Sequence, residues 1–235
     1  MTTVTAGSPR ERILQAALTL LETQGVEAVS TRAVSAAADV QPPTIYRQFG
    51  DMQGLLNAVA SAGFTTYLQV KVAHGGWSDP VEELREGWNR HVQFGLAHPH
   101  LYTLMYGTLK PGAEPPAALA ASQMLQALLQ RVAEAGRLAT GVQRAVAIIH
   151  AAAMGTTLTL LASQDRDPQL AALMREAALQ VILTPQAGTA PDGASTARQQ
   201  VAAHAVALVA LLPDLESPFS SAEQALLLEW LRRLS

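Results

Sequence analysis

The chain is 235 residues long, 49% hydrophobic and 15% charged, with a formal net charge of −3 and no cysteine. That composition excludes wholesale disorder, disulfides, thiolate catalysis and cysteine zinc sites, which suits the cytoplasm, and shows no basic excess to announce a nucleic-acid partner. Abundant Ala and Leu beside few aromatics favour helices over strands, so the fold class is all-α, with length for one large domain or two modest ones.

Residues 1 to 8 carry no charged start leading into an apolar run and read as a loose, disordered tail rather than a secretory signal. Residues 10 to 24 place Ile13, Ala17, Leu20 and Leu21 on one helical face, and Gly25 stops the helix. Ser30 caps a short second helix that runs to Ala38, and Asp39-Val40-Gln41 makes a turn. Pro42 and Pro43 fit only the first turn of a helix, where missing N–H groups lack partners anyway; this third helix ends near Phe49. Asp51 caps a long fourth helix that ends before His74-Gly75-Gly76.

Beyond it, Asp79-Pro80 and Pro99 start helices that reach Ala97 and Gly107, and another ends at Gly136. Helices follow at 142 to 163 and 168 to 183, then the Gly- and Pro-rich stretch 184 to 195, then amphipathic segments 196 to 212 and 220 to 234. Residues 145 to 162 approach membrane-span length, but their Ala content, His150 and three threonines predict a buried helix of a soluble chain.

Residues 30 to 49 thus form helix, tight turn, helix, the second helix setting polar side chains opposite Val40, Ile45 and Phe49. A recognition helix must bury one face while its other face and N-terminal end enter the major groove. On that outer face Arg47 suits guanine or phosphate, Gln41 adenine, Pro42 and Pro43 a thymine methyl, and Thr44 and Tyr46 phosphate oxygens. Thr31 and Arg32 sit at the N-terminus of the second helix, where free N–H groups and the helix dipole grip phosphate.

The string STRAVSAAADVQPPTIYRQFGDMQGLL resembles the signature of TetR-family repressors, through Ser30, Val34, Ala38, Val40, Ile45-Tyr46, Phe49 and Leu55-Leu56. Three positions depart from that pattern. Asp39 stands where the family usually has Gly, Met52 where it usually has a phosphate-binding Lys, and Gln48 replaces the common His. From Arg10 to Asp51 four Arg stand against five acids with no Lys, so the domain is expected to bind DNA weakly alone and to depend on dimerisation and two half-sites.

The resemblance implies a helix-turn-helix domain over residues 9 to 50 and a helical ligand-binding and dimerisation domain over 51 to 235. It further implies a palindromic double-stranded DNA operator, a homodimer with recognition helices about 34 Å apart, and a small-molecule effector whose binding moves the fourth helix. Helices 142 to 163 and 168 to 183, with Ala145, Ala152, Ala153 and Gly155, are the candidates for pairing, with intramolecular core as the competing explanation for these small residues. An apolar pocket would draw on Trp88, His91, Tyr102, Met105, Tyr106, Met124, His150 and Met154, each of which alone is more often ordinary core. Phe64 and Tyr67 belong to the same pool.

His91 and His98 lie about 10 Å apart along a helix, too far to share an ion, so neither a metal nor another cofactor is expected. With no nucleophile elbow, phosphate-binding loop or paired carboxylates, catalysis has no support. The alternative to a regulator, motivated by Met52 and the missing basic charge, is an all-helical ligand-binding or interaction protein whose degenerate helix-turn-helix reads no specific operator.

Overall fold

The computed structural model describes residues 7–72, 78–107, 116–184, 193–214 and 219–234. They form eleven α-helices, two short 3-10 segments and one isolated bridge, Leu138 to Leu183, with no strand among the described residues. The chain divides into two compact units. One comprises Met1–Gly75 with Phe94–Ala120, the other Gly76–Gln93 with Ala121–Ser235.

In the first unit α1 (Pro9–Gln24) opens on a capping box: Ser8 Oγ accepts from Glu11 N–H, and Ser8 N–H donates to Glu11 Oε2 at 2.7 Å. Ser8, assigned to the tail from sequence, is therefore the cap of α1; residues 1–6 lie outside the described residues. Ile13, Ala17 and Leu21 of α1 are fully buried, while Leu20 is only half-buried. Ser30 Oγ accepts from Ala33 N–H to start α2 (Thr31–Ala38), and Asp39 takes the left-handed conformation, φ 51° and ψ 56°. That conformation explains the family's preference for Gly at this turn and why Asp, which tolerates it better than most residues, serves here.

Next comes α3 (Pro42–Phe49), anchored by fully buried Ile45. Asp51 Oδ1 accepts from Gly54 N–H at 2.6 Å and starts α4 (Met52–Val72). α1 packs on α2, α3, α4 and the short α6 (Pro99–Tyr106), and α4 packs on α6. The compact unit holding the helix-turn-helix thus runs past the Phe49–Asp51 joint where the sequence suggests a boundary, because α4 and α6 both bury apolar faces against α1.

The second unit takes the first part of α5 (Pro80–Ala97), most of α7 (Pro116–Glu134), and α8 (Val142–Ala162), α9 (Leu170–Ile182), α10 (Gly193–Leu211) and α11 (Ser221–Leu234). α8 packs on α9, and α10 on α11. Trp88 is buried on α5 and donates its indole N–H to Ala171 O at 3.0 Å. Arg85 and Arg175 both donate to the Glu176 carboxylate, and Arg175 reaches Asn89 Oδ1, which pins α9 to α5.

With a mean hydropathy of 1.8, α8 is long and apolar enough to cross a membrane, yet only 39% of its most apolar window is buried. The expected buried helix is buried on one side only. Ala145, Ile149, Ala153, Thr156, Thr157 and Leu160 face the core, with both threonine hydroxyls bonded to carbonyls one turn back, while Ala147, Ala151, Gly155 and Thr159 are exposed. The difference arises because α8 is amphipathic by side-chain size, which hydropathy alone does not register.

Candidate nucleic-acid interface

The geometry begins with Ile45. Its burial fixes the rotation of α3, and the helical period then leaves Gln41, Pro42, Pro43, Tyr46 and Arg47 exposed and Thr44 half-buried. Gln41 occupies the N-cap of α3, yet its side chain makes no capping hydrogen bond, leaving the amide available at the end of the helix that enters a groove. Arg47, in the last turn, is exposed, as is Arg32 at the start of α2, and neither has an intramolecular polar partner among the described residues.

Thr31 Oγ1 and Tyr46 Oη share a hydrogen bond of 3.0 Å. The two hydroxyls carry two protons and spend one on each other, so one donor remains for an anion beside the open N-terminus of α2. The structure therefore brings Thr31, Arg32, Tyr46 and Arg47 onto adjoining ends of α2 and α3, with Gln41, Pro42 and Pro43 at the other end of α3.

Two arginines that sequence reasoning treated only as charge do structural work. Arg12 donates from Nε to Ala38 O at 3.1 Å and from Nη2 to Asp39 O at 3.3 Å, satisfying carbonyls at the end of α2 and clamping the left-handed turn. Arg10 lies over the Phe49 ring, 4.8 Å from its centroid, and ties α1 to the end of α3. Neither contact leaves a local signal, since each joins residues more than 25 positions apart.

Residues 13–59 match the family model described as bacterial regulatory proteins, tetR family. Over those residues the chain carries a tetR-type domain. The tetR-type domain makes the chain, in coarse terms, a DNA-binding transcriptional regulator. No curated protein matches the chain. Among solved structures it resembles a protein of unknown function from Rhodococcus sp. RHA1 (TM-score 0.62, 23% identity, covering 77% of this chain and 99% of that one). A TetR-family transcriptional regulator from Agrobacterium tumefaciens is similar at TM-score 0.54 and 22% identity, over 76% of this chain and 99% of that one. The multidrug binding protein EbrR, solved with imidazole and with malachite green, is similar at TM-score 0.55 and 21% identity in the imidazole complex, over 77% of this chain and 98% of that one. At these identities the likenesses establish the all-helical fold that the tetR-type domain heads.

The residues expected to line a pocket divide between the two units. Tyr102, Met105 and Tyr106 are buried in the first, with the tyrosine rings 4.7 Å apart and tilted at 46°. Trp88 is buried in the second, where His91, Met124, His150 and Met154 are half-buried. The side chains of Phe64 and Tyr67 lie outside the described residues. None of the eight lines the open groove of about 850 Å³ that runs along α1 and the end of α2, whose walls are Glu11, Arg12, Gln15, Thr19, Thr23 and Asp39 among others. His98 caps α6 and meets Glu22 at 2.9 Å, and no cluster of three metal-ligating side chains occurs among the described residues.

Proposed function

We propose that this protein is a cytoplasmic, homodimeric repressor that binds a palindromic operator through α3 and is released by a small, largely apolar molecule. The observation that carries the reading is the buried Ile45 that turns Gln41, Pro42, Pro43, Tyr46 and Arg47 outward, beside the Thr31–Tyr46 hydroxyl pair and Arg32. In this reading Arg47 and Gln41 touch base edges, Pro42 and Pro43 meet a thymine methyl, and Thr31, Arg32, Thr44 and Tyr46 hold phosphates.

Dimerisation is supported by the outward face of the second unit. Of the small residues expected to pair, Ala145 and Ala153 are buried in this chain's own core and Ala152 is half-buried, whereas Gly155 is exposed in line with Ala147 and Ala151 on α8, and on α9 Leu173 and Val181 are 61% and 64% exposed with Ala177 between them. A Cβ built at Gly155 meets nothing within 4 Å, so this face leaves room for the close approach of another helix. Effector binding is supported by the buried aromatic and soft side chains named above and by the dye complex of EbrR. A ligand that favours one arrangement of α4 lowers operator affinity by its differential binding energy between the two states.

A second reading, a helix-turn-helix that reads no operator, is favoured by the acidic balance of the domain. Fluorescence anisotropy with the chain's own upstream DNA separates the two. Binding that resists scrambled competitor and is lost in Arg47→Ala supports the regulator; equal binding to scrambled DNA supports the degenerate reader.

A further inference from the structure

More than half of the exposed large apolar side chains fall between Val201 and Leu234, on α10, α11 and their connection. On α11 they form one line: Leu226, Trp230 and Leu234, at four-residue spacing, are 44%, 54% and 55% exposed, and Ala222 extends the line by a turn. Leu231, about 100° round the helix from Trp230, is buried, which fixes the helix's rotation and leaves the line through Leu226, Trp230 and Leu234 on the outer edge of the packed face. Glu223 lies in the first turn, where it also accepts from Ser220, and Arg232 and Arg233 lie in the last, where Arg233 also pairs with Glu229, so the helix ends keep opposite net charge.

We propose that this stripe pairs, antiparallel, with the same stripe of a second copy of the chain, about a two-fold axis beside residue 228. In that register Leu226 of one copy faces Trp230 of the other, Ala222 faces Leu234, and Glu223 faces Arg233. Each acidic first turn then meets a basic last turn and the helix dipoles oppose, whereas a parallel pairing sets like charges together. The isologous match follows from the sequence 222–234 itself, which is what a two-fold contact demands. The exposed parts of Leu226, Trp230 and Leu234 amount to roughly 300 Å² per copy, the size of a patch that marks an interaction site. A pair then covers roughly 600 Å², short of the ~1,200 Å² of a stable interface, so the contact is weak and concentration-dependent. It is separate from the α8–α9 face and does not depend on it.

The test is sedimentation velocity of the full chain over a range of concentrations, with circular dichroism to confirm helicity. Trp230→Glu should remove one association step or raise its dissociation constant at least about tenfold, while Leu173→Glu on α9 leaves that step in place. Arg233→Glu should weaken the same step, and adding Glu223→Arg should restore it, a rescue that only facing partners produce. Since the chain has no cysteine, Glu229→Cys supplies a unique thiol near the axis, and a short bismaleimide should link two copies through it. Unchanged sedimentation of a folded Trp230→Glu, as expected if a lipid surface or another protein covers the stripe, overturns the proposal. Loss of a step in Leu173→Glu alone overturns it too, while supporting the α8–α9 pairing.

Discussion

Gly63 on α4 packs directly against Leu101 of α6. A Cβ built there stands 2.3 Å from Leu101 Cδ2 and 3.0 Å from Cδ1, and Leu101 is itself 1% exposed, so its methyl groups have little space to retreat into. Gly63→Ala therefore sets two effects against each other. Overpacking a close-packed core costs about 1–3 kcal/mol, and replacing Gly by Ala inside a helix returns about 1 kcal/mol. The net expectation is a loss of about 1 kcal/mol, read by chemical unfolding. Leu101→Ala alone leaves a cavity and costs about 2–5 kcal/mol. In the double variant the alanine at 63 grows into vacated space, so it should stabilise where it destabilised before. The two changes should couple by about 1–3 kcal/mol, far outside the ~0.5 kcal/mol of independent sites. Simple additivity in that cycle would refute the claim that Gly63 is glycine because of Leu101.

Four further outcomes are expected. Ser35 Oγ is buried in α2 without a hydrogen-bond partner among the described residues, so Ser35→Ala should raise stability by about 1 kcal/mol, seen as a higher melting temperature. At the left-handed turn Asp39→Ala should cost about 1 kcal/mol, while Asp39→Gly holds stability and strengthens DNA binding by removing a carboxylate; equal stabilities of the two variants would deny the backbone argument. Burial pushes the Glu176 carboxyl up, but hydrogen bonds from Arg175 and Arg85 outweigh it and hold the group below its ordinary value. Its contribution is thus present above the unfolded carboxylate range and lost as pH falls through the folded value, so Glu176→Gln should lower stability at neutral pH and converge with the parent at acid pH, which flattens the acid limb of the stability–pH curve. Finally, on the proposed reading Arg32 is the unengaged cation of each domain that faces phosphate, so a dimer neutralises about two phosphates, and log K against log salt should fall with a slope of only about −1.8.

The sequence pattern carried the elements well wherever a side chain or proline acts within one turn. Ser30, Asp51, Pro42-Pro43 and Pro80 each mark a helix start that the structure places within a residue or two, because capping is a local transaction. Asp39 was legible for the same reason, as a short polar residue at a turn that needs positive φ. What could not be read is everything that closes over distance. Arg12 reaches a carbonyl 26 residues on, Trp88 bonds a carbonyl 83 residues on, and Leu101 fixes Gly63 from another helix. Which alanines of α8 face outward could not be read, because alanine and glycine score as apolar whether a core or open surface faces them: Ala145 and Ala153 are core, while Ala147, Ala151 and Gly155 are exposed. The pocket candidates were chosen by chemistry alone, and chemistry does not say that Tyr102 and Trp88 belong to different compact units.

The placement of Arg10 and Arg12 explains how an acidic domain can still carry a recognition helix. Both lie on α1, and a solvent-facing arginine there could serve as a phosphate contact. Here one stacks its guanidinium face on Phe49 and the other donates to the carbonyls of Ala38 and Asp39, so the two hold α1 against the end of α3 and against the turn before it. The turn is where an aspartate replaces glycine in the left-handed region, and a clamp on its carbonyl offsets part of that conformational cost. The domain thereby gives up electrostatic attraction, which is non-specific and falls with salt, for a fixed angle between α2 and α3. A reader built this way draws little affinity from any single half-site. On the proposed reading its discrimination then comes from base-edge contacts made by a rigid helix and its affinity from holding two such helices at one spacing, so a variant that breaks pairing of the second unit should lose operator binding even with α3 intact.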